Sequence, residues 1–178
     1  MIETVLLAID GSTHAEQGIK LAAEIAAAFH ARLHIVHVML RNASGPFLSK
    51  LAERMPFTRD LGRRIDNFAL SADPDIHAAG GIATAFIPLC APQELLNDVG
   101  DEIVAIARQQ ARDIAVERVT TSVLAGDVAD AILDCAQAEH ADLIVLGSRG
   151  LGDFKSLMLG SVSHKVTAGA TCGVLVAR

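Results

Sequence analysis

The sequence predicts a doubly wound α/β fold built on one parallel sheet, and three observations carry that prediction. Short aliphatic runs without polar alternation recur along the chain, stretches with apolar residues stepping by three and four lie between them, and capping or turn residues stand at the junctions. A strand covered on both faces has no polar side to show, so it reads as a continuous apolar run, whereas a surface helix shows a stripe at the helical period.

The first strand is residues 5–9, an aliphatic run that stops at Asp10-Gly11-Ser12. Ser12 is a natural N-cap, since its hydroxyl can accept from a free N–H of the first turn, and Ala15, Ile19, Ala22, Ala26 and Phe29 then fall on one helical face. Residues 33–38 form the second strand, and Leu96, Val99, Ile103, Ala107, Ala111 and Ile114 repeat the helical spacing ahead of a third strand at 119–124. Asp127 is the cap expected for a helix with Val128, Ala131, Ile132, Cys135 and Ala136 inward. The fourth strand is 143–146, and after a glycine-rich stretch come a short helix from about Ser161, with Val162, Val166 and Gly169 inward, and a last strand at 174–177. Strands alternating with helices in this way imply parallel neighbours joined by right-handed crossovers.

The whole chain of 178 residues reads as one domain, 1–178, interrupted by a long irregular insertion at about 39–92. That segment holds all five prolines and the adjacent Gly80 and Gly81. Within it Phe47, Leu48 and Leu51, then Leu61, Ile65 and Phe68, are spaced for short amphipathic helices with Arg54, Arg59, Arg63 and Arg64 on the polar sides. A lid, a partner surface and a variable segment packed loosely on the sheet edge are all open readings, the last favoured.

Composition excludes several classes. A net charge of −6 with no Trp or Tyr offers neither a basic field nor a stacking platform for nucleic acid. No apolar span is long enough for a membrane helix, and residues 1–12 lack a signal peptide's pattern, so the expected location is the cytoplasm. Cys90, Cys135 and Cys172 are odd in number and far apart, which argues for buried thiols and against a disulfide framework or zinc site.

Chemistry is expected where the winding reverses, at the carboxyl ends of strands one and four. Those ends carry Asp10 and the stretch GSRGLGDFKSLMLGSVSHKV, with glycines at 147, 150, 152 and 160. Gly147 and Gly150 let backbone amides approach a phosphate chain, and Ser161 and Val162 stand in the first turn of the next helix, where free N–H groups favour an anion. Arg149 would neutralise phosphate charge, and Asp10 would hold a divalent ion bridging the phosphates. The stretch is neither a Walker A loop nor a GxGxxG fingerprint, and glycines alone would serve an ordinary strand-to-helix turn as well.

Gly147, Gly150, Gly160 and Ser161 fit, without a gap, the pattern GxxG, nine residues, then Gly and Ser or Thr. In this the chain resembles the ATP-binding branch of the universal stress protein family, as do VLLAIDGSTHAEQGIKLAAEIA, LHIVHV, AGDVADAIL and GSVSHKVTAGATCGVLVAR. The resemblance implies strand order 3-2-1-4-5, a homodimer through the last strand, and ATP with magnesium or manganese as ligand. It implies adenine near Ala8, Ile9 and Val38, phosphates on Gly147, Arg149, Gly150, Gly160, Ser161 and Val162, Asp10 as the family's acid, and Gly126 facing the same cleft. The chain departs from the family in having Cys172-Gly173 where Cys-Pro is usual, and in its longer middle segment.

No catalytic constellation emerges. His34 and His37 lie three apart on a strand and so point to opposite faces; Asp98, Asp101 and Glu102 read as a solvated helix face; and helical spacing turns at least one of His164 and Lys165 to solvent. The leading reading is a regulatory module in which bound ATP changes conformation and the binding of a protein partner. A slow ATPase or phosphotransferase, and a nucleotide-free dimeric interaction protein acting through the middle segment, are the alternatives.

Overall fold

The computed structural model describes residues 1–39, 43–71, 90–151 and 160–178, with nothing said of the Thr13 side chain. Gly80, Gly81 and Gly152 lie outside these residues. Five parallel strands, β1 (Thr4–Ile9), β2 (Arg32–Met39), β3 (Val119–Ala125), β4 (Leu143–Gly147) and β5 (Gly173–Ala177), form one sheet in the order β3-β2-β1-β4-β5. Residue Val5 pairs with Leu33 of β2 on one side and Leu143 of β4 on the other, which makes β1 central. All six of its residues are buried, as its unbroken apolar run requires.

The period of two along β1 sorts its side chains between two cores. Val5, Leu7 and Ile9 enter the core formed with α1 (Thr13–Phe29), α2 (Gly45–Ala52), α3 (Arg59–Ser71) and α4 (Gln93–Asp113). Leu6 and Ala8 face the opposite core, closed by α5 (Val128–Ala138) and α6 (Ser161–Gly169). Both expected caps are made: the Ser12 hydroxyl accepts from the Ala15 N–H at 3.2 Å, and Asp127 accepts from the N–H groups of Ala129 and Asp130. Helix α4 starts at Gln93, earlier than its apolar stripe suggests, immediately after Pro92.

Four expectations are corrected. The middle segment, where it falls on described residues, is not loosely attached: Leu48, Leu51, Leu61, Ile65 and Phe68 are buried in the α1–α4 core. Its two ends meet, the Ala91 N–H donating to the Ala43 carbonyl at 3.1 Å. The acidic face of α4 is correspondingly not all solvated, because Asp98 pairs with Arg64 at 2.6 Å and Glu102 accepts from the Thr58 N–H at 2.8 Å, while Asp101 is exposed. Among the thiols, Cys90 is exposed and Cys135 and Cys172 are half-buried. In α6 the buried residues are Ser163 and Val166, whereas Gly169 is exposed and lies against Leu133 of α5.

Removing Ile65, which is 0% exposed, tests the corrected account of this segment. Ile65→Ala is expected to cost about 2–5 kcal/mol of stability in urea denaturation, as a core truncation does. A change of about 0.5 kcal/mol or less, the size of a surface effect, would show that α3 is merely appended.

Candidate functional site

The sheet's winding puts the carboxyl ends of β1 and β4 side by side, with Ala8 opposite Leu146. Beyond them the Asp10-Gly11-Ser12 turn meets the start of the glycine-rich stretch. One Asp10 carboxylate oxygen accepts from the Ser12 N–H at 3.0 Å and the other accepts from the Leu151 N–H at 3.1 Å. The Ser12 hydroxyl donates to the Arg149 carbonyl at 3.4 Å. Gly150 lies so close that a Cβ added there would collide with the Asp10 carboxylate, and one added at Gly147 would come within 3.1 Å of His14 Cβ. The glycine spacing thus serves a close approach of two backbones.

The far end of the stretch returns to the same place. The Gly160 N–H donates to the Ser148 carbonyl at 2.9 Å, and the Ser148 N–H donates to Ala177 at the end of β5 at 2.6 Å. The Ser163 hydroxyl donates to the Gly147 carbonyl at 2.8 Å. Gly160 is the N-cap of α6, and no side chain caps that helix. Its first turn, Ser161 and Val162, therefore presents backbone N–H groups and the positive end of the helix dipole beside Gly147. Ser161 is exposed, whereas Val162 is half-buried against the α5–α6 core.

Gly126 follows β3 with φ +138, a conformation that favours glycine, and a Cβ added there would meet nothing within 4 Å. It faces open space. Asp127 next to it uses one oxygen to cap α5 and places the other 3.6 Å from Lys165 of α6, and the Asp130 N–H above all holds its carboxyl below the usual range. Ala8, Ile9 and Val38 turn their side chains into the two cores, and their backbones pair within the sheet, Ala8 with Val36 and Leu146, Ile9 with His37 and Val38 with Leu124. His164 and Lys165 are both exposed.

A divalent ion fits this arrangement only in company with a ligand. Among the described residues no group of three or more His, Cys, Asp or Glu could hold a metal, yet each Asp10 oxygen retains a second lone pair after accepting one N–H. Magnesium bound by one carboxylate, phosphate oxygens and water needs no more than that from the protein.

Sequence reasoning missed Ser148 and Ser163, which are buried and close the loop, and the contacts of Leu51 and Met55 with Gly11. For Ser163 a signal existed in its position inside the first turn of α6; the others depend on contacts between residues far apart in the chain. His34 and His37 do face opposite sides. The hydroxyls of Thr120 and Ser122 bond the two His34 ring nitrogens at 2.7 and 3.0 Å, and His37 Nδ1 donates to the Ile9 carbonyl at 2.9 Å under α4.

Fold and site together define a class: a doubly wound α/β protein whose candidate site lies at the β1–β4 switch point, where an acidic turn meets a strand-to-helix glycine loop. The family follows from comparison, since the model of the Universal stress protein family matches residues 1–72 and 87–178. A universal stress protein of Thermus aquaticus, named for its place in the QAH/OAS sulfhydrylase 3' region, is 36% identical over 178 residues, 100% of each chain. The chain belongs to the universal stress protein family. Two solved structures share the fold: a universal stress protein in complex with cAMP (TM-score 0.58, 20% identity, covering 99% of this chain and 97% of that one), and the Archaeoglobus fulgidus universal stress protein in complex with dAMP (TM-score 0.60, 19% identity, 100% of each).

His37 makes the end of β1 sensitive to acid. Burial pushes its pKa below 6.5, against the smaller raising effects of the Ile9 carbonyl and Asp10. A base whose folded pKa is depressed gives its full stability above the unfolded value and loses it as pH falls toward the folded one. Urea stability should therefore decline below about pH 6.5, by at most about 1.4 kcal/mol per pH unit from this residue, and His37→Gln should flatten the slope. An unchanged slope in the variant would assign the acid sensitivity to other groups.

Proposed function

We propose that this protein binds ATP with a divalent cation across the β1–β4 switch point and that the bound nucleotide regulates its association with a protein partner. The observation that carries the reading is the convergence of Asp10, the Gly147–Gly150 backbone and the uncapped start of α6 on one place. Phosphates on Gly147, Gly150, Gly160 and the N–H groups of Ser161 and Val162 would be neutralised by Arg149 and by a magnesium ion on Asp10. The base would lie toward the end of β2, against the backbone of Ile9 and Val38, with Gly126 on the far side of the cleft. The two relatives carrying cAMP and dAMP support an adenine nucleotide as the ligand.

A second copy of the chain is the partner we assign to β5, which is an outer strand of the sheet. The outer side of α2 and α3, with Arg54, Arg59 and Leu70 exposed, is the surface we assign to a different protein.

Binding to the folded state alone stabilises it, by about 2.7 kcal/mol at a hundredfold excess over Kd. For a chain of this size that is a rise of about 5–10 °C in melting temperature with MgATP. Arg149→Ala should shrink the rise while leaving the nucleotide-free melting temperature near the wild-type value. No rise with millimolar MgATP would overturn the reading.

A further inference from the structure

We propose that Met55 is an oxidation site through which a hydroperoxide weakens the Asp10 turn and, resting on the function proposed above, its grip on the nucleotide. The argument starts at Gly11, whose φ of +80 places it in the left-handed region. The middle segment presses on it from the α1–α4 side: the position a Cβ would take at Gly11 is 2.8 Å from Leu51 Cδ1, 3.4 Å from Met55 Sδ and 3.6 Å from Met55 Cγ. Met55 is fixed there by its own backbone, its N–H donating to the Leu51 carbonyl at 2.9 Å and its carbonyl accepting from the Phe57 N–H at 2.8 Å. Gly11 in turn lies between Asp10 and the Ser12 N–H that the Asp10 carboxylate holds. The thioether thus backs the turn whose acid side faces the glycine loop.

A small cavity of about 30 Å³ adjoins this contact, lined by Gly11 and Met55 together with Ile9, Ile103, Ala107 and the polar Glu16 and Gln110. Met55 is half-buried and lines this cavity, the path by which we infer a small oxidant reaches its sulfur. The thioether sulfur attacks the hydrogen-bearing terminal oxygen of the hydroperoxide, the O–O bond breaks, and the proton of that oxygen passes to the departing one, which leaves as water or an alcohol while the sulfur, oxidised by two electrons, keeps the first. The product is a sulfoxide, polar where the thioether was apolar. Around the cavity the Ser12 hydroxyl already donates to the Arg149 carbonyl and the Glu16 carboxylate accepts only, which leaves the exposed Gln110 as a side-chain donor. The new oxygen draws in water or swings out toward Gln110, and either outcome lifts Met55 from Gly11.

The experiment treats the purified protein with hydrogen peroxide, maps sulfoxides by peptide mass spectrometry, and measures both MgATP affinity by calorimetry and amide hydrogen exchange at Gly11 and Ser12. Met1, fully exposed and at the opposite end of β1, is the internal control for reaction with peroxide. The expected result is sulfoxide at Met55, faster exchange at Gly11 and Ser12, and MgATP affinity about tenfold weaker. Methionine sulfoxide reductase should restore both, and Met55→Leu, which keeps the apolar volume, should hold its affinity through the same treatment. The proposal is overturned if Met55 stays unoxidised when Met1 is fully converted, if its sulfoxide leaves exchange at Gly11 and Ser12 unchanged, or if Met55→Leu weakens as the wild type does. Failure of the untreated wild type to bind MgATP would instead overturn the function proposed above, and the exchange measurement would still decide the Met55 contact.

Discussion

Asp10 stands where the chain leaves the central strand, and its carboxylate has to satisfy backbone from two directions: the Ser12 N–H of its own turn and the Leu151 N–H of the loop after β4. Much of the switch point follows from that pair of bonds. Gly150 must lack a side chain because the carboxylate occupies the space a Cβ would fill. With Gly150 drawn in, Gly147 packs against the first turn of α1, and the Ser12 hydroxyl can bridge to Arg149 while still capping α1. The return of the loop at Gly160, held by Ser148 and Ser163, brings the start of α6 beside Gly147 and Ser148. A carboxylate bonded in this way is fixed in place before any ligand arrives, which is the preorganisation that binding sites require.

The middle segment extends this arrangement instead of standing apart from it. Leu48, Leu51, Leu61, Ile65 and Phe68 bury themselves with α1 and α4, so α2 and α3 share one core with the central strand. It meets the site at Gly11, from the α1–α4 side of the turn. Under the function proposed above, a shift of the turn on binding would have to be accommodated at Leu51 and Met55, at and just beyond the end of α2. Close-packed contacts of this kind transmit displacement because they leave little free volume to absorb it.

Much of the fold was legible because its signals are local. All five strands were legible to within a residue at each end: the buried runs of β1 and β4 leave no polar position to confuse the pattern, whereas β3, with Thr120, Thr121 and Ser122 on an outer edge, was read from its place between two helical stretches. Ser12 and Asp127 were readable as caps because a cap is defined by its own neighbours in sequence. At the site, the glycine spacing pointed to the right loop, but the reason for it, the Asp10 carboxylate against Gly150, joins residues far apart in the chain and leaves no periodic trace. The same holds for the Arg64–Asp98 pair that covers part of the face of α4 read as solvated, and for Leu51 and Met55 against Gly11. Gly169 was expected in the core and instead sits beside Leu133, because a nine-residue helix has too few turns for its stripe to fix which side faces the sheet.

The most direct test of an adenine nucleotide in the cleft is to denature the gel-filtered protein and identify the released base by chromatography. With no Trp or Tyr in the chain, its own near-ultraviolet absorbance is weak and adenine would dominate the spectrum. The account predicts ATP near one per chain, either carried through purification or taken up after incubation with MgATP. Recovering no base under either condition would contradict it, and would leave the loop between Gly147 and Gly160 as a turn that serves the fold alone.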